Sequence, residues 1–113
     1  MRQENIAVIP SQTAASVNGS AIIAQNLINA SVQMVATGAA AGTLKIQVSN
    51  DITTNSQSFT PTNWTDLSGA SVAVSGAGTY LIPIQNLCYE YIRVVYTNTG
   101  TGTIAARLKC LGV

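Results

Sequence analysis

The residues able to do chemistry are few. Four carboxylates, Glu4, Asp51, Asp66 and Glu90, are spread along 113 residues, and the chain has no His. General acid–base catalysis draws on His or on carboxylates tuned against each other. A carboxylate pair for glycoside hydrolysis would need two acids facing one cleft. Only Asp51, in a turn-like S-N-D, and Asp66, just after Trp64, are candidates. Such residues ordinarily accept hydrogen bonds from loop backbone, and that role is assigned to both. Ser and Thr are abundant, but a hydroxyl nucleophile needs a base beside it, and neither His nor a suitably placed Lys is evident. No catalytic residue is assigned, and the chain is not expected to be an enzyme. Cys88 and Cys110, 22 residues apart, match no metal-ligand spacing. Without His or a Cys cluster, no transition-metal site and no cofactor is expected. A Ca²⁺ in the loop from Asn50 to Asn63 would rest on one carboxylate, Asp51, and is not expected either.

Charge is scarce throughout. Five Lys or Arg and four Asp or Glu make up 8% of the chain, and the net charge is +1. Soluble domains carry about 25% charged residues. Disorder requires low hydrophobicity with high net charge, and 47% apolar content opposes it. Five scattered cations make no basic stripe able to displace counterions, so no nucleic-acid partner is expected. No run of 18 apolar residues is present, so no membrane span is expected. The start, MRQENIAVIP, lacks an apolar stretch long enough for a signal peptide. This predicts a protein made in a cytoplasm, with Cys88 and Cys110 as two buried thiols. A folded chain with an uncharged surface of Ser, Thr, Asn, Gln and Ala is expected to live against other copies or other proteins.

The elements that must position these residues are strands. Thr43–Ser49 alternates most cleanly, with Leu44, Ile46 and Val48 on one side and Lys45 and Gln47 on the other. Ser31–Ala36, Trp64–Leu67, Ser71–Val74, Thr79–Ile84, Tyr89–Thr97 and Thr103–Leu111 follow the same period and are bounded by turn residues. Ser68-Gly69 is expected to turn between two short strands, and Asn98–Gly102 to close a hairpin. Asn5–Ile9 is a short apolar run stopped by Pro10. Ala21–Ile28 is the only helix candidate and is ranked below a strand. The pattern predicts an all-β, antiparallel two-sheet β-sandwich or jelly roll of about seven to nine strands. One domain spans 21–113, preceded by an extended N-terminal arm over 1–20 that can add a strand to its own sheet or to a neighbour's. The expected core is Val32, Met34, Leu44, Ile46, Val48, Leu67, Val72, Val74, Ile82, Ile84, Ile92, Val94, Ile104, Ala106 and Leu108.

Strand Tyr89–Thr97 is apolar on both faces. Ile92, Val94 and Tyr96 point one way, and Tyr89, Tyr91, Arg93 and Val95 the other. The second set is taken as a candidate interface, with Arg93 either laying its stem over apolar surface or pairing with Glu90 or with a neighbouring subunit. A weaker candidate is a carbohydrate platform built on Trp64 and Tyr80, set against the commoner fate of a single Trp in a sandwich, which is the core.

The strings GTLKIQVSND (Gly42–Asp51), NWTDLSG (Asn63–Gly69), AGTY (Ala77–Tyr80) and YIRVVYTNTGTGTIAARL (Tyr91–Leu108) occur in one order. In this the chain resembles small β-sandwich proteins encoded among the virion structural genes of tailed bacteriophages, over roughly residues 30 to 113. The resemblance implies a non-enzymatic structural role in capsid decoration, at the head, or on a tail or fibre. It implies a homo-oligomer whose partners are itself and other virion proteins, located in the virion after assembly in a bacterial cytoplasm. It carries over no catalytic residues. The alternative function is a carbohydrate-binding adhesin module that recognises a host glycan.

Overall fold

The computed structural model describes residues 3–13, 15–24, 27–52, 60–85 and 88–112. Among these residues nine strands form two antiparallel sheets: β1 (Gln3–Thr13), β2 (Val17–Asn18), β3 (Ile22–Ile23), β4 (Leu27–Thr37), β5 (Ala41–Ser49), β6 (Thr65–Ser75), β7 (Gly78–Ile84), β8 (Tyr91–Asn98) and β9 (Thr103–Gly112). One sheet runs β1-β9-β4-β7. The other runs β2-β8-β5-β6, with β3 also paired to β8. Outer pairs nest around inner ones along the chain: β1 with β9, β2 and β3 with β8, β4 with β7, and β5 with β6. An antiparallel ribbon folded over itself in this way is a jelly roll, the more specific of the two expected architectures.

Alternation explains why the sheets face each other. Every second residue of β9, from Ile104 to Cys110, is buried, while Thr103, Arg107, Lys109 and Leu111 are exposed. On β5, Leu44 and Ile46 are fully buried, and Lys45 and Gln47 point out. The two inner faces close on Met34, Leu44, Ile46, Ile92, Ile104 and Leu108. Burial of such side chains is worth about 1.5–3 kcal/mol each. Thirteen of the fifteen expected core residues are buried; Leu67 and Val72, both on β6, are half-buried against the core's rim. β6 is the outer strand of its sheet, and where β5 advances from Lys45 to Gln47 its partner runs from Ser71 back to Asp66. The Ser68-Gly69 turn thus becomes a wide bulge inside one continuous strand, and Gly69 takes a positive φ there.

The segment 1–20, expected to extend as an arm, supplies strands to the chain's own sheets. β1 lies along β9, and Ile9 is almost wholly buried. Pro10 does not stop this strand. It sits exposed on an edge strand, at a register shift between Ile9 and Gln12, where its missing N–H breaks no ladder. The 21–28 segment holds no helix among its described residues: Ile22 and Ile23 form β3, and β4 begins at Leu27.

The two faces of Tyr89–Thr97 separate clearly. Ile92, Val94 and Tyr96 are fully buried. Tyr96 belongs to the core although it is aromatic and polar, because its hydroxyl donates to the Ala41 carbonyl at 2.9 Å. Burial raises its pKa, and the neighbouring Tyr80 adds to the rise. Gly42 makes room for this ring: a Cβ there would collide with the Thr97 carbonyl and touch the Tyr96 hydroxyl.

Candidate functional site

The outward face of β2-β8-β5-β6 gathers most of the side chains singled out by sequence. Cross-strand register sets Arg93 of β8 opposite Gln47 of β5, and Gln47 opposite Asp66 of β6. Side-chain bonds follow that row. Arg93 Nε donates to Gln47 Oε1 at 2.8 Å, and Gln47 Nε2 donates to Asp66 Oδ1 at 2.8 Å. Lys45, two residues along β5, donates from Nζ to Asp66 Oδ2 at 3.2 Å. Arg93 also stacks on Trp64, its guanidinium carbon 4.4 Å from the ring centroid. A cation over an indole face is attracted by the ring quadrupole. Trp64 is therefore a half-buried member of an outer sheet face and not a core residue; its indole N–H donates to the Pro61 carbonyl at 3.2 Å.

Electrostatics follow from these contacts. Partial burial lowers the Arg93 pKa, which still leaves the group charged at neutral pH. The Asp66 pKa is lowered, first by the Gln47 hydrogen bond and then by Lys45. Asp51 is lowered too, chiefly by the Asn63 backbone N–H, with the Asn63 amide and the Thr62 N–H adding to it. Asp51 thus does what was expected of it: both N–H groups donate to Oδ2 at 2.9 Å and hold the return of the loop. Asp66 departs from expectation, since it accepts from the Gln47 and Lys45 side chains of β5.

The four candidate interface residues split. Tyr91 and Arg93 are half-exposed on this face. Val95 points the same way but is buried, between Asn18 of β2 and Lys45 of β5. Tyr89 precedes β8 and packs half-buried at the rim of the core. Within its own sheet Arg93 bonds to Gln47 and lies over Trp64. The carbohydrate pair is not brought together. Trp64 stands just before the first residue of β6. Tyr80 lies on β7 near the other end of β6, where its hydroxyl accepts from Ser75 N and donates to the Gly76 carbonyl across the turn. Cys110 is buried as expected, but Cys88 is exposed, and both thiols are free. No three of Cys, Asp and Glu gather as a metal-binding group among the described residues.

Beside this face a cleft opens at the end of β5. Its volume is about 560 Å³, and Val48, Asp51, Asn63, Asp66, Ser68 and Tyr89 are among its walls. The bulge in β6 contributes Leu67 and Ser68 to its wall, beside the rungs where Asp66 and Thr65 pair with Gln47 and Val48 near the end of β5. Sequence reasoning named Asp51, Asp66 and Tyr89 separately and missed that they share one cavity. The signal was the Ser68-Gly69 pair, read as a turn when it marks a bulge.

Fold and face together define the class: a jelly-roll domain with an organised polar outer sheet. No family model and no curated protein matches the sequence. Solved structures share the fold over nearly the whole chain. A protein derived from the SPBc2 prophage, YomS, superposes with a TM-score of 0.66 at 7% identity, covering 96% of this chain and 92% of that one. PirA gives 0.53 at 16% identity, covering 96% and 93%. A protein of Bacillus endospore appendages, described as a family of disulfide-linked pili, gives 0.52 at 13% identity, covering 99% and 88%. At these identities the likeness is one of fold.

Proposed function

We propose that this chain is a non-enzymatic structural subunit of a bacteriophage virion, which forms a homo-oligomer and attaches to a capsid, tail or fibre. The observation that carries this reading is the prophage-derived protein that shares the fold end to end. The appendage protein, described as forming disulfide-linked pili, is a case in which this architecture builds an assembly. The surface is consistent with such a role. With 8% charged residues, the outer faces neither repel like copies nor cost much desolvation on contact. Val35, Leu81 and Ile23 are exposed on strands. The site for a neighbour on this reading is the outer face of β2-β8-β5-β6, where Trp64, Tyr91 and Arg93 lie together, since Trp, Tyr and Arg dominate the energetics of protein interfaces.

Light scattering of the purified full-length chain at micromolar concentration, with co-sedimentation on phage particles, tests the proposal. A defined oligomer that pellets with particles is expected. A strict monomer that leaves particles bare would overturn it.

A further inference from the structure

The cleft at the end of β5 has a chemistry of its own. Two carboxylates, Asp51 and Asp66, face it, and neither Lys nor Arg lines it. Hydroxyls and amides make up most of the remaining polar wall, among them Ser49, Ser68 and Asn63. Tyr89 contributes a half-buried ring, and Val48 and Leu67 add apolar surface. Its volume of about 560 Å³ lies inside the range of about 300–1,000 Å³ found for small-molecule sites.

We propose that this cleft binds an uncharged saccharide of one or two sugar units. Each carboxylate offers about four lone-pair sites. Asp66 Oδ1 accepts from Gln47 and Oδ2 from Lys45, while Asp51 Oδ1 accepts from the Asn63 amide. Acceptor capacity is left over on Asp66, whereas the Asp51 oxygens are already taken up by Thr62, Asn63 and Ser49. Adjacent sugar hydroxyls can donate to Asp66, and hydrogen bonds to an ionised acceptor are roughly twice as strong as neutral ones. Both carboxylates are ionised at neutral pH, since hydrogen bonds hold their pKa values below the ordinary one. An acidic sugar or a phosphate would meet the unpaired charge of Asp51, since Lys45 is already paired to Asp66 and neither Lys nor Arg lines the cleft. The Tyr89 ring and Leu67, both half-buried, offer a surface for the C–H face of a sugar ring. A divalent cation is the poorer fit, because Asp51 Oδ2 already takes two backbone N–H donors and no third acid joins the pair.

This site differs from the expected platform of Trp64 and Tyr80. Arg93 covers one face of Trp64, and Tyr80 is engaged at the far turn. The proposal goes beyond the assembly reading and does not depend on it, since a monomer can bind sugar and an oligomer can fail to.

Ligand-observed NMR and titration calorimetry on the full chain provide the test. The probes are glucose, galactose, mannose, N-acetylglucosamine and their β-linked disaccharides, with sialic acid and glucuronic acid as charged counterparts. At least one neutral sugar is expected to bind, at least about tenfold more tightly than either acid. Asp66→Ala and Tyr89→Ala should each weaken that binding about tenfold, whereas Lys109→Ala, on the opposite sheet, should leave it unchanged. Tyr89→Leu, which keeps bulk against the core, replaces Tyr89→Ala if the latter unfolds. Absence of binding by every neutral sugar, a preference for the acids, a strict need for added Ca²⁺, or indifference to both substitutions would each overturn the proposal. The oligomer mass, measured on the same samples, reports separately on the assembly reading.

Discussion

The two sheets share one core and obey one alternation rule, yet their outer faces differ. On β4, β7 and β9 the only charged residues are Arg107 and Lys109, and Val35 and Leu81 stand 45% and 57% exposed. Among its side chains, Arg107 reaches sideways to Asn5 of β1, with its Nε 2.6 Å from Asn5 Oδ1. On β8, β5 and β6 the outward side chains instead bond to one another in a row from Trp64 and Arg93 through Gln47 and Asp66 to Lys45. Alternation decides only that a residue points out. Whether outward residues become an organised surface depends on register, which on β8, β5 and β6 sets Arg93, Gln47 and Asp66 opposite one another in a row.

The largest effects should ignore this difference. Met34 and Ile46 lie on opposite sheets and are both fully buried. Met34→Ala and Ile46→Ala are each expected to cost about 2–5 kcal/mol in urea unfolding, because both open a cavity in one common core. Two separate transitions in either variant would mean the sheets do not unfold as a unit.

The outer faces should then separate. Trp64→Ala removes the ring under Arg93 and is expected to cost about 1–2 kcal/mol. Leu81→Ala, which removes a larger exposed apolar group than most, should stay within about 0.5 kcal/mol. Equal costs would erase the distinction between the faces.

A double-mutant cycle sharpens it further. Arg93→Lys keeps the charge but loses the planar stack and the Nε bond to Gln47. Its coupling to Trp64→Ala should be about 0.5–1 kcal/mol, and coupling near zero would reduce the stack to proximity.

The smallest effects concern pH. The folded pKa values of Asp51 and Asp66 are depressed below 3.8, so both contribute stability above that value and lose it as pH falls through the lower, folded values. Asp51→Asn and Asp66→Asn should each lower stability at pH 6 and converge on the parent at strongly acid pH. The Asp66→Asn deficit should shrink in high salt, since its partner Lys45 forms an exposed ion pair, while the deficit at Asp51, held by N–H groups, should persist. The melting midpoint followed against pH at low and high salt checks both.

Much of the fold was legible because period-2 alternation is local. Leu44, Ile46 and Val48 declare their face within seven residues, and so do Ile104, Ala106 and Leu108. The failures fall where local pattern is silent. Tyr89–Thr97 is apolar on both sides, so only the facing sheet could decide that Tyr96 goes in and Tyr91 stays out. Pro10 reads as a stop, and only its place on an edge shows why the strand continues. Ser68-Gly69 reads as a turn, and only pairing with β5 makes it a bulge.

The site was less legible for the same reason. Residue types identified Trp64, Arg93, Asp51, Asp66 and Tyr89 as worth attention. Arg93 and Gln47 are 46 residues apart, and Gln47, a plain amide on an outward position, carried no signal at all.

The sequence by itself determined that this chain is all-β, poor in charge and built around one apolar core, because composition and alternation act on each short segment separately. Tertiary structure alone decided that Arg93 lies on Trp64, that Val95 is buried on an outer face, and that Asp51, Asp66 and Tyr89 share a cleft. Those outcomes depend on the register between strands far apart in the chain, and register is set by the fit of the whole sandwich.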